Sequence, residues 1–402
     1  MSKSVSMDEH IKKAAYDMLY LAVCGITGTR PEKEKIKDMD FAFVHALSRR
    51  HSIEALTYTA LEPLFNADTV KNDKTLKVWK EERDKAITKE LLMDAERESL
   101  FAFMEQKGIW HMPRKGIILK QFYPGIGQRQ MSDNDIFYDK TYQDEICSWF
   151  KSRGYNVVLF RKGRDDVYTK EPIYNFEMSV DLFDEKVGRT LTSYYKNIRK
   201  KLLPKEGTKC ELRFTDEDFY IYFIAHAYMH ATKSRGMGLK TLLDCYVFLK
   251  NKEETLNKQY ISEELNRIGL DRLEKQIREL SFTVFSAPDE FSPEELSPEI
   301  RNQLEDIIIF FGTNEKAMDN RLQDLKKDNA GSMRKAKLKY LRLRLFPPMT
   351  YYEQKHPFLY RNKIFIPFFV VYRIIVMPFK YRKEVKGELD FLLKKDKKAD
   401  KK

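Results

Sequence analysis

Apolar residues recur every three or four positions over the first hundred residues, the pattern of amphipathic helices. Met18 and Leu21 share one such face. A long, highly charged segment, 76–106, continues the helical pattern and stops at Gly108, a residue type that often ends helices. We therefore expect an N-terminal helical lobe over residues 1–107.

The pattern changes between residues 108 and 188. Short apolar runs at 136–138 and 156–161 and an alternating run at 174–183 have the length and period of strands. A helical segment that stops at Gly154 separates the first two runs. These elements predict a small, mixed α/β core.

Helical periodicity returns after residue 188 and predicts a C-terminal helical lobe over 189–346. Beyond it, residues 347–402 combine an apolar, aromatic segment with a basic tail. The apolar run 364–379 is only sixteen residues long and contains Arg373, whereas a membrane-spanning helix needs about 20 residues. We interpret the run as a packed C-terminal helix, and its basic flanks leave peripheral membrane contact open.

Composition narrows the choice of partners and compartment. The chain has 402 residues and a net charge of +12, which favours anionic partners such as nucleotides, nucleic acid or a membrane surface. Four scattered cysteines without a C-x-x-C pair predict no zinc site and a reducing compartment. Because the N-terminus does not resemble a secretion signal, we expect a cytoplasmic protein.

Acidic residues gather where strands are predicted. Asp133 and Asp135 lie two apart, so in a strand both carboxylates point the same way, about 5–7 Å apart, and repel each other. Mg²⁺ relieves such repulsion and is typically held by one or two carboxylates plus substrate phosphates. The alternating run also puts Glu177, Ser179 and Asp181 on one face. A D-x-D pair alone is weak, because a solvated turn explains it equally well.

The order of these motifs resembles the uncharacterised nucleotidyltransferases of the polymerase-beta-type superfamily. Three blocks carry the resemblance over roughly residues 8–380. They read Pro113-Arg114-Lys115-Gly116 with Tyr123-Pro124 and Arg129-Gln130-Met131-Ser132-Asp133-Asn134-Asp135, then Glu177-Met178-Ser179, then His226, His230, Gly236-Met237-Gly238-Leu239-Lys240 and Asp244. In this chain Arg114 stands where the pattern prefers leucine, Asn134 where it has an apolar residue, Ser179 where histidine is usual, and Lys240 where it has arginine.

The resemblance implies the roles of the site residues. Asp133, Asp135 and Glu177 would be catalytic and would hold two Mg²⁺ ions, with Asp181 as the alternative third carboxylate. Lys115 and Gly116 would occupy the phosphate-binding turn. The other residues expected at the nucleotide or along the cleft are Arg129, Ser132, His226, His230, Lys240 and Asp244. Arg129 could instead form an ion pair with Asp133 or Asp135, and the two histidines could simply be buried and hydrogen-bonded.

The resemblance also implies a fold and a reaction. The fold would be α+β, a small polymerase-beta-like mixed-sheet core flanked by N- and C-terminal helical lobes. The reaction would be Mg²⁺-dependent transfer of a nucleoside monophosphate from a nucleoside triphosphate to an acceptor, with release of pyrophosphate. The acceptor, whether small molecule, sugar, protein or nucleic-acid end, cannot be read from the sequence. The alternative is a catalytically inactive basic module that binds nucleic acid or an anionic membrane.

Overall fold

The computed structural model describes residues 2–184, 187–231, 237–286, 296–310, 333–346, 349, 352 and 357–375. The chain divides into two compact units, residues 1–229 with 237–311, and residues 230–236 with 312–402. The domain boundaries expected from the sequence, after residues 107, 188 and 346, remain predictions.

Helices dominate both ends of the larger unit. Those before the sheet are α1 (Ser2–Thr27), α2 (Lys33–Lys37), α3 (Phe41–His51), α4 (Glu54–Leu61), α5 (Ala67–Asn72) and α6 (Lys74–Lys107). Within the sheet region lie α7 (Lys115–Leu119) and α8 (Gln143–Ser152). After it come α9 (Arg189–Tyr195), α10 (Asp216–Ala231), α11 (Leu239–Lys252), α12 (Lys258–Ile268), α13 (Asp271–Phe285) and α14 (Pro298–Phe310).

The smaller unit contributes three described helices. They are α15 (Met333–Leu345), α16 (Pro357–Arg361) and α17 (Ile366–Ile375). No helix among the described residues is both long and apolar enough to cross a membrane. The predicted helix 364–379 appears as α17 up to residue 375, and its remainder lies outside the described residues.

One mixed sheet of five strands forms the centre of the larger unit. Its strands are β1 (His111–Pro113), β2 (Asn134–Tyr138), β3 (Asn156–Leu159), β4 (Asp165–Lys170) and β5 (Tyr174–Ser179). They lie in the order β1-β2-β5-β4-β3, with β2 and β5 parallel and every other pair antiparallel. A two-stranded ribbon, β6 (Leu203–Pro204) and β7 (Leu212–Arg213), follows α9.

The strand alternation decides which face of the sheet is buried. Ile136 on β2, Tyr168 on β4 and Met178 on β5 pack with Phe150 of α8 and Leu100 of α6 in one apolar cluster. The residues between them point to the opposite face, as the two-residue period of a strand requires. That opposite face carries the acidic residues of the candidate site.

The sequence located β2 and β3 well, extended β5 too far and predicted neither β1 nor β4. It predicted strands at 136–138 and 156–161, close to β2 and β3. The third predicted strand, 174–183, is too long, because β5 ends at Ser179, and β4 at 165–170 was missed. The α+β fold itself, a mixed sheet of the nucleotidyltransferase type with helical regions before and after it, is confirmed.

Candidate active site

The acidic pair lies at the start of β2, fixed by the residue between its members. Asn134 is fully buried, and its amide nitrogen donates to the Met93 carbonyl at 3.2 Å. Its amide oxygen accepts from Arg97 Nη1 at 3.1 Å. The polar residue that departs from the family pattern is therefore a satisfied buried amide. It ties Asp133 and Asp135 to α6.

The parallel pairing of β2 and β5 places Asp135 opposite Glu177. The antiparallel pairing of β4 and β5 places Asp165 opposite Ser179. The three carboxylates are partly exposed, whereas the neighbouring Ile136 and Met178 are fully buried. Three neighbouring strands thus present acids on one face, and Asp133 adds a fourth just before β2.

Burial and, after it, the crowding of like charges raise the pKa of two of these acids. Burial, followed by the charges of Asp135, Asp133 and Asp165, raises the pKa of Glu177 to about 7. Burial and the neighbouring Asp135 also raise the pKa of Asp133. Acids that raise one another's pKa in a cleft are typical of sites completed by a cation.

Arg114 is a buried basic residue that contacts two acids of this face. Its side chain is 1 % exposed, and Nη1 lies 3.2 Å from Asp135 Oδ1 and 3.7 Å from Asp165 Oδ1. Nη1 also donates to Ser179 Oγ at 2.6 Å, and Nε donates to the Tyr222 hydroxyl at 2.8 Å. The two departures from the family pattern at 114 and 179 therefore contact each other, and Arg114 holds Asp135 in place.

Asp181, the alternative third carboxylate, lies beyond the end of β5 and is exposed. Burial raises its pKa, and the charges nearest to it are Lys140 and Arg164, not the acidic pair. The structure thus brings Glu177 next to Asp135 and leaves Asp181 apart. Glu177 remains our proposed third carboxylate on this geometry.

Arg129 pairs with Asp244, not with either aspartate of the D-x-D pair. Its Nε and Nη2 donate to the two oxygens of Asp244, both at 2.8 Å, and the Tyr123 hydroxyl donates to Oδ1 at 2.9 Å. Both charged side chains are at most 5 % exposed. The alternative considered for Arg129, an ion pair with Asp133 or Asp135, is absent among the described contacts, because the guanidinium is already paired with Asp244.

Gly116 makes room for this buried pair. A Cβ at this position would lie 3.0 Å from Arg129 Nη1, which donates to the Gly116 carbonyl at 3.3 Å. Any larger residue would push the guanidinium away from Asp244. The glycine predicted to approach phosphate oxygens thus has a clear packing reason to be small.

Two lysines lie between the buried pair and the acidic face. Burial lowers the pKa of both Lys115 and Lys240 to about 8, and Asp244 acts in the opposite direction on each. Lys240 Nζ donates to the Gln130 carbonyl at 2.8 Å and feels the charge of Asp133. These ammonium groups are placed to meet an anion that approaches the aspartates.

Two further residues border Asp133. The Ser132 hydroxyl hydrogen-bonds to the Asp133 carboxylate, and Ser132 itself is exposed. Lys89 of α6 feels the charge of Asp133, although burial lowers its pKa overall. It lines a small cavity of about 80 Å³ together with Glu90, Gln130 and Met131. Lys89 was not among the residues predicted from the sequence.

The two predicted histidines differ in their surroundings. His226 is 4 % exposed on α10, with its ring 5.9 Å from that of Tyr222, the tyrosine that binds Arg114. His230 is exposed at the end of the same helix. Gly236 lies outside the described residues, and Gly238 precedes α11 as its N-cap residue.

The donor set fits a metal only in part. Among the described residues, no group of three or more His, Cys, Asp or Glu side chains is arranged to hold a metal ion. The three predicted ligands thus do not form a ready-made site. Mg²⁺ is usually bound by one or two protein carboxylates, and substrate phosphates supply other ligands. Asp133 and Asp135, which lie close enough for Asp135 to raise the pKa of Asp133, match this protein contribution.

A family model described as "Uncharacterised nucleotidyltransferase" matches residues 37–286. The chain belongs to this family. The match covers the sheet, the acidic face and the buried pair of this nucleotidyltransferase, and it supports nucleotidyl transfer as the general kind of reaction. The comparisons with curated proteins and with solved structures gave no match.

Sequence reasoning missed Asp165 because it missed strand β4. The signal was present, since Asp165, Val167 and Thr169 alternate with the buried Asp166 and Tyr168. It also treated Arg114 only as a departure from the family pattern. A buried arginine next to a D-x-D strand has to be paired, and that requirement points to the acidic face.

Proposed function

We propose that this nucleotidyltransferase transfers a nucleoside monophosphate from a nucleoside triphosphate to an acceptor hydroxyl in a Mg²⁺-dependent reaction. The observation that carries the proposal is the convergence of acids from adjoining strands, with Asp135 opposite Glu177 in the sheet register. Acids brought together in this way favour a cation, and a binding module for anions would be weakened by them.

Different residues would bind the metal, bind the triphosphate and support the site. Asp133 and Asp135 hold the metal, with Glu177 as the third carboxylate. Lys115, Lys240 and Ser132 bind the triphosphate oxygens, and the buried Arg129–Asp244 pair fixes the wall behind them. When bound, Mg²⁺ supplies charge neutralisation for the triphosphate and for the oxygens that enter and leave.

In the reaction, the acceptor oxygen forms a bond to the α-phosphorus while the bond from the α-phosphorus to the bridging oxygen breaks. Pyrophosphate leaves with the electrons of that bond. The acceptor proton passes to the carboxylate of Glu177, which lies opposite Asp135 in the sheet. Arg114 positions Asp135 and does not touch substrate.

The direct test is Mg²⁺-dependent thermal stabilisation by ATP, GTP, CTP or UTP, followed by mass spectrometry of a cell extract incubated with the labelled nucleotide that stabilises. Asp133→Asn and Asp135→Asn should abolish transfer, a loss on the order of 10³-fold or more. Asp133→Asn should do so without lowering the thermal midpoint. Turnover retained by both variants would refute the metal assignment.

Asp181→Asn is the matched control for Glu177→Gln. Both remove one carboxylate charge near the end of β5, but only Glu177 lies opposite Asp135. We expect Asp181→Asn to retain transfer and Glu177→Gln to lose it. The reverse result would move the third carboxylate to Asp181.

A second candidate is a binding role for a basic surface, with or without catalysis. The sequence from 333 to 375 contains ten basic residues and one acid, and so supplies nine of the twelve net positive charges. Salt-sensitive binding to any polyanion, with no Mg²⁺-dependent nucleotide response, would favour this role over transfer.

A further inference from the structure

The helix α17 and the turn before it carry an apolar stripe on their exposed face. Its five members form two adjacent pairs, each three to four positions from the central Phe368, and their exposed fractions range from 41 % to 75 %. They are Ile364, Phe365, Phe368, Val371 and Tyr372. The opposite side of α17 is packed, since the ring of Phe369 lies 6.1 Å from that of the buried Tyr352.

A second exposed apolar row lies on α15, which contacts α17 within the same unit. Leu338 is 69 % exposed and Phe346 is 55 % exposed, with Leu341 and Leu345 between them. Of eighteen large hydrophobic residues exposed among the described residues, eleven fall between 338 and 372. Scattered exposed hydrophobics are ordinary, whereas such a concentration indicates an interaction surface.

The charges around these rows are almost all positive. Arg334, Lys335 and Arg342 on α15 are exposed, as are Arg361 and Lys363 next to α17. The described residues of 333–375 include no Asp or Glu. Exposed apolar stripes bordered by Lys and Arg are the composition of segments that lie in the surface of an anionic bilayer.

The aliphatic residues in these two rows favour lipid over nucleic acid as the partner that binds this surface. Single-stranded nucleic acid binds to basic grooves with aromatic stacking platforms. Leu338, Ile364 and Val371 have no aromatic face and gain nothing from bases, but they gain from hydrocarbon. The ten residues of α17 extend about 15 Å, half of a hydrocarbon core of about 30 Å, so contact would run along the surface.

We propose that the described segments 333–346 and 357–375 dock the protein on an anionic membrane surface. The stripe of Ile364, Phe365, Phe368, Val371 and Tyr372 enters the boundary between headgroups and acyl chains. The basic residues of α15 and those flanking α17 lie at the level of the lipid phosphates. This surface belongs to the smaller unit and the acidic face to the larger one, and the docking proposal does not rest on the proposed transfer reaction.

The test is co-sedimentation of the full chain with vesicles of phosphatidylcholine alone or mixed with phosphatidylglycerol. We expect binding only to the mixed vesicles, weakened by salt. Phe368→Glu should lower binding about tenfold or more, because a buried phenyl ring is lost and a repelled charge is added. Arg342→Glu should lower it several-fold and flatten the salt dependence.

Val158→Glu is the matched control. Val158 on β3 is 56 % exposed, comparable to the stripe, but belongs to the other unit. It should bind vesicles like the unchanged protein. The proposal would be overturned if Val158→Glu lost as much vesicle binding as Phe368→Glu, or if the unchanged protein did not bind the mixed vesicles. It would also be overturned if the protein bound RNA but not vesicles, and RNA binding survived Phe368→Glu. Self-association in solution abolished by Phe368→Glu, without vesicle binding, would assign the stripe to a second copy of the chain.

Discussion

Two charged clusters in the larger unit differ in how completely their charges are matched. Arg129 and Asp244 satisfy each other through two hydrogen bonds, and Tyr123 adds a third. On the acidic face, the described ion pairs engage only Asp135 and Asp165. Burial and neighbouring carboxylates raise the pKa of both Asp133 and Glu177. Charges that are paired within the protein serve the folded structure, whereas unpaired acids lower the stability of the folded state and favour binding of a cation.

The largest expected effect is on the complete cluster. Arg129→Leu should lower the free energy of unfolding by about 3–5 kcal/mol, because it leaves Asp244 buried and uncompensated. Urea unfolding followed by circular dichroism measures the change. Arg153→Leu, which breaks the more exposed pair with Glu96, should cost no more than about 1 kcal/mol. If both changes cost the same, Arg129–Asp244 is not the buried structural pair that we describe.

The second expected effect concerns pH. Because the pKa of Glu177 is about 7 in the free protein, binding of Mg²⁺ with a nucleotide must displace its proton. Affinity should therefore rise about tenfold between roughly pH 6 and pH 8, and level off above. Titration with a non-hydrolysable nucleotide triphosphate measures it. Glu177→Gln should bind with no such rise, and a rise that persists in this variant would assign the proton to another group.

The third effect is a gain of stability from removing a site residue. The raised pKa of Glu177 means that folding favours its protonated form. Its contribution to the stability of the folded state is therefore fully present below about pH 4.5 and is lost as the pH rises through about 7. Glu177→Gln should thus raise the thermal midpoint by about 2–4 °C at pH 8. The gain should vanish toward pH 4.5. A gain that does not depend on pH would show that charge crowding is not its cause.

The smallest effect is expected at Lys89. Lys89→Gln should raise the KM for the nucleotide about two- to fivefold, as expected for one partly exposed ammonium near Asp133. The value of kcat should change little. Lys85→Gln, an exposed lysine on the same helix, is the control. Equal effects from both changes would mean that Lys89 acts only through net charge.

Sequence patterns predicted the parts of this molecule whose signals are local. The period of the helices, Gly108 at the end of α6 and the acidic pair beside β2 all depend on neighbouring residues. What the sequence could not show are pairings across the chain. Arg129 meets Asp244 across 115 positions, and Arg114 meets Tyr222 across 108. Strand β4 was missed, although its alternation is present, because it begins with Asp165 and Asp166, and aspartate is rare in strands.

The helix α6 connects the N-terminal helices to the start of β2, where the acidic pair lies. It is 34 residues long, about 50 Å, and holds three successive points of the site region: Gly127 N donates to Glu90 at 2.8 Å, Lys120 pairs with Glu90 at 3.0 Å, and Asn134 binds Met93. Its first turns contact α4 and α5 instead. A change in the N-terminal helices that tilts α6 would therefore shift Asp133 and Asp135 without any change in β2 itself.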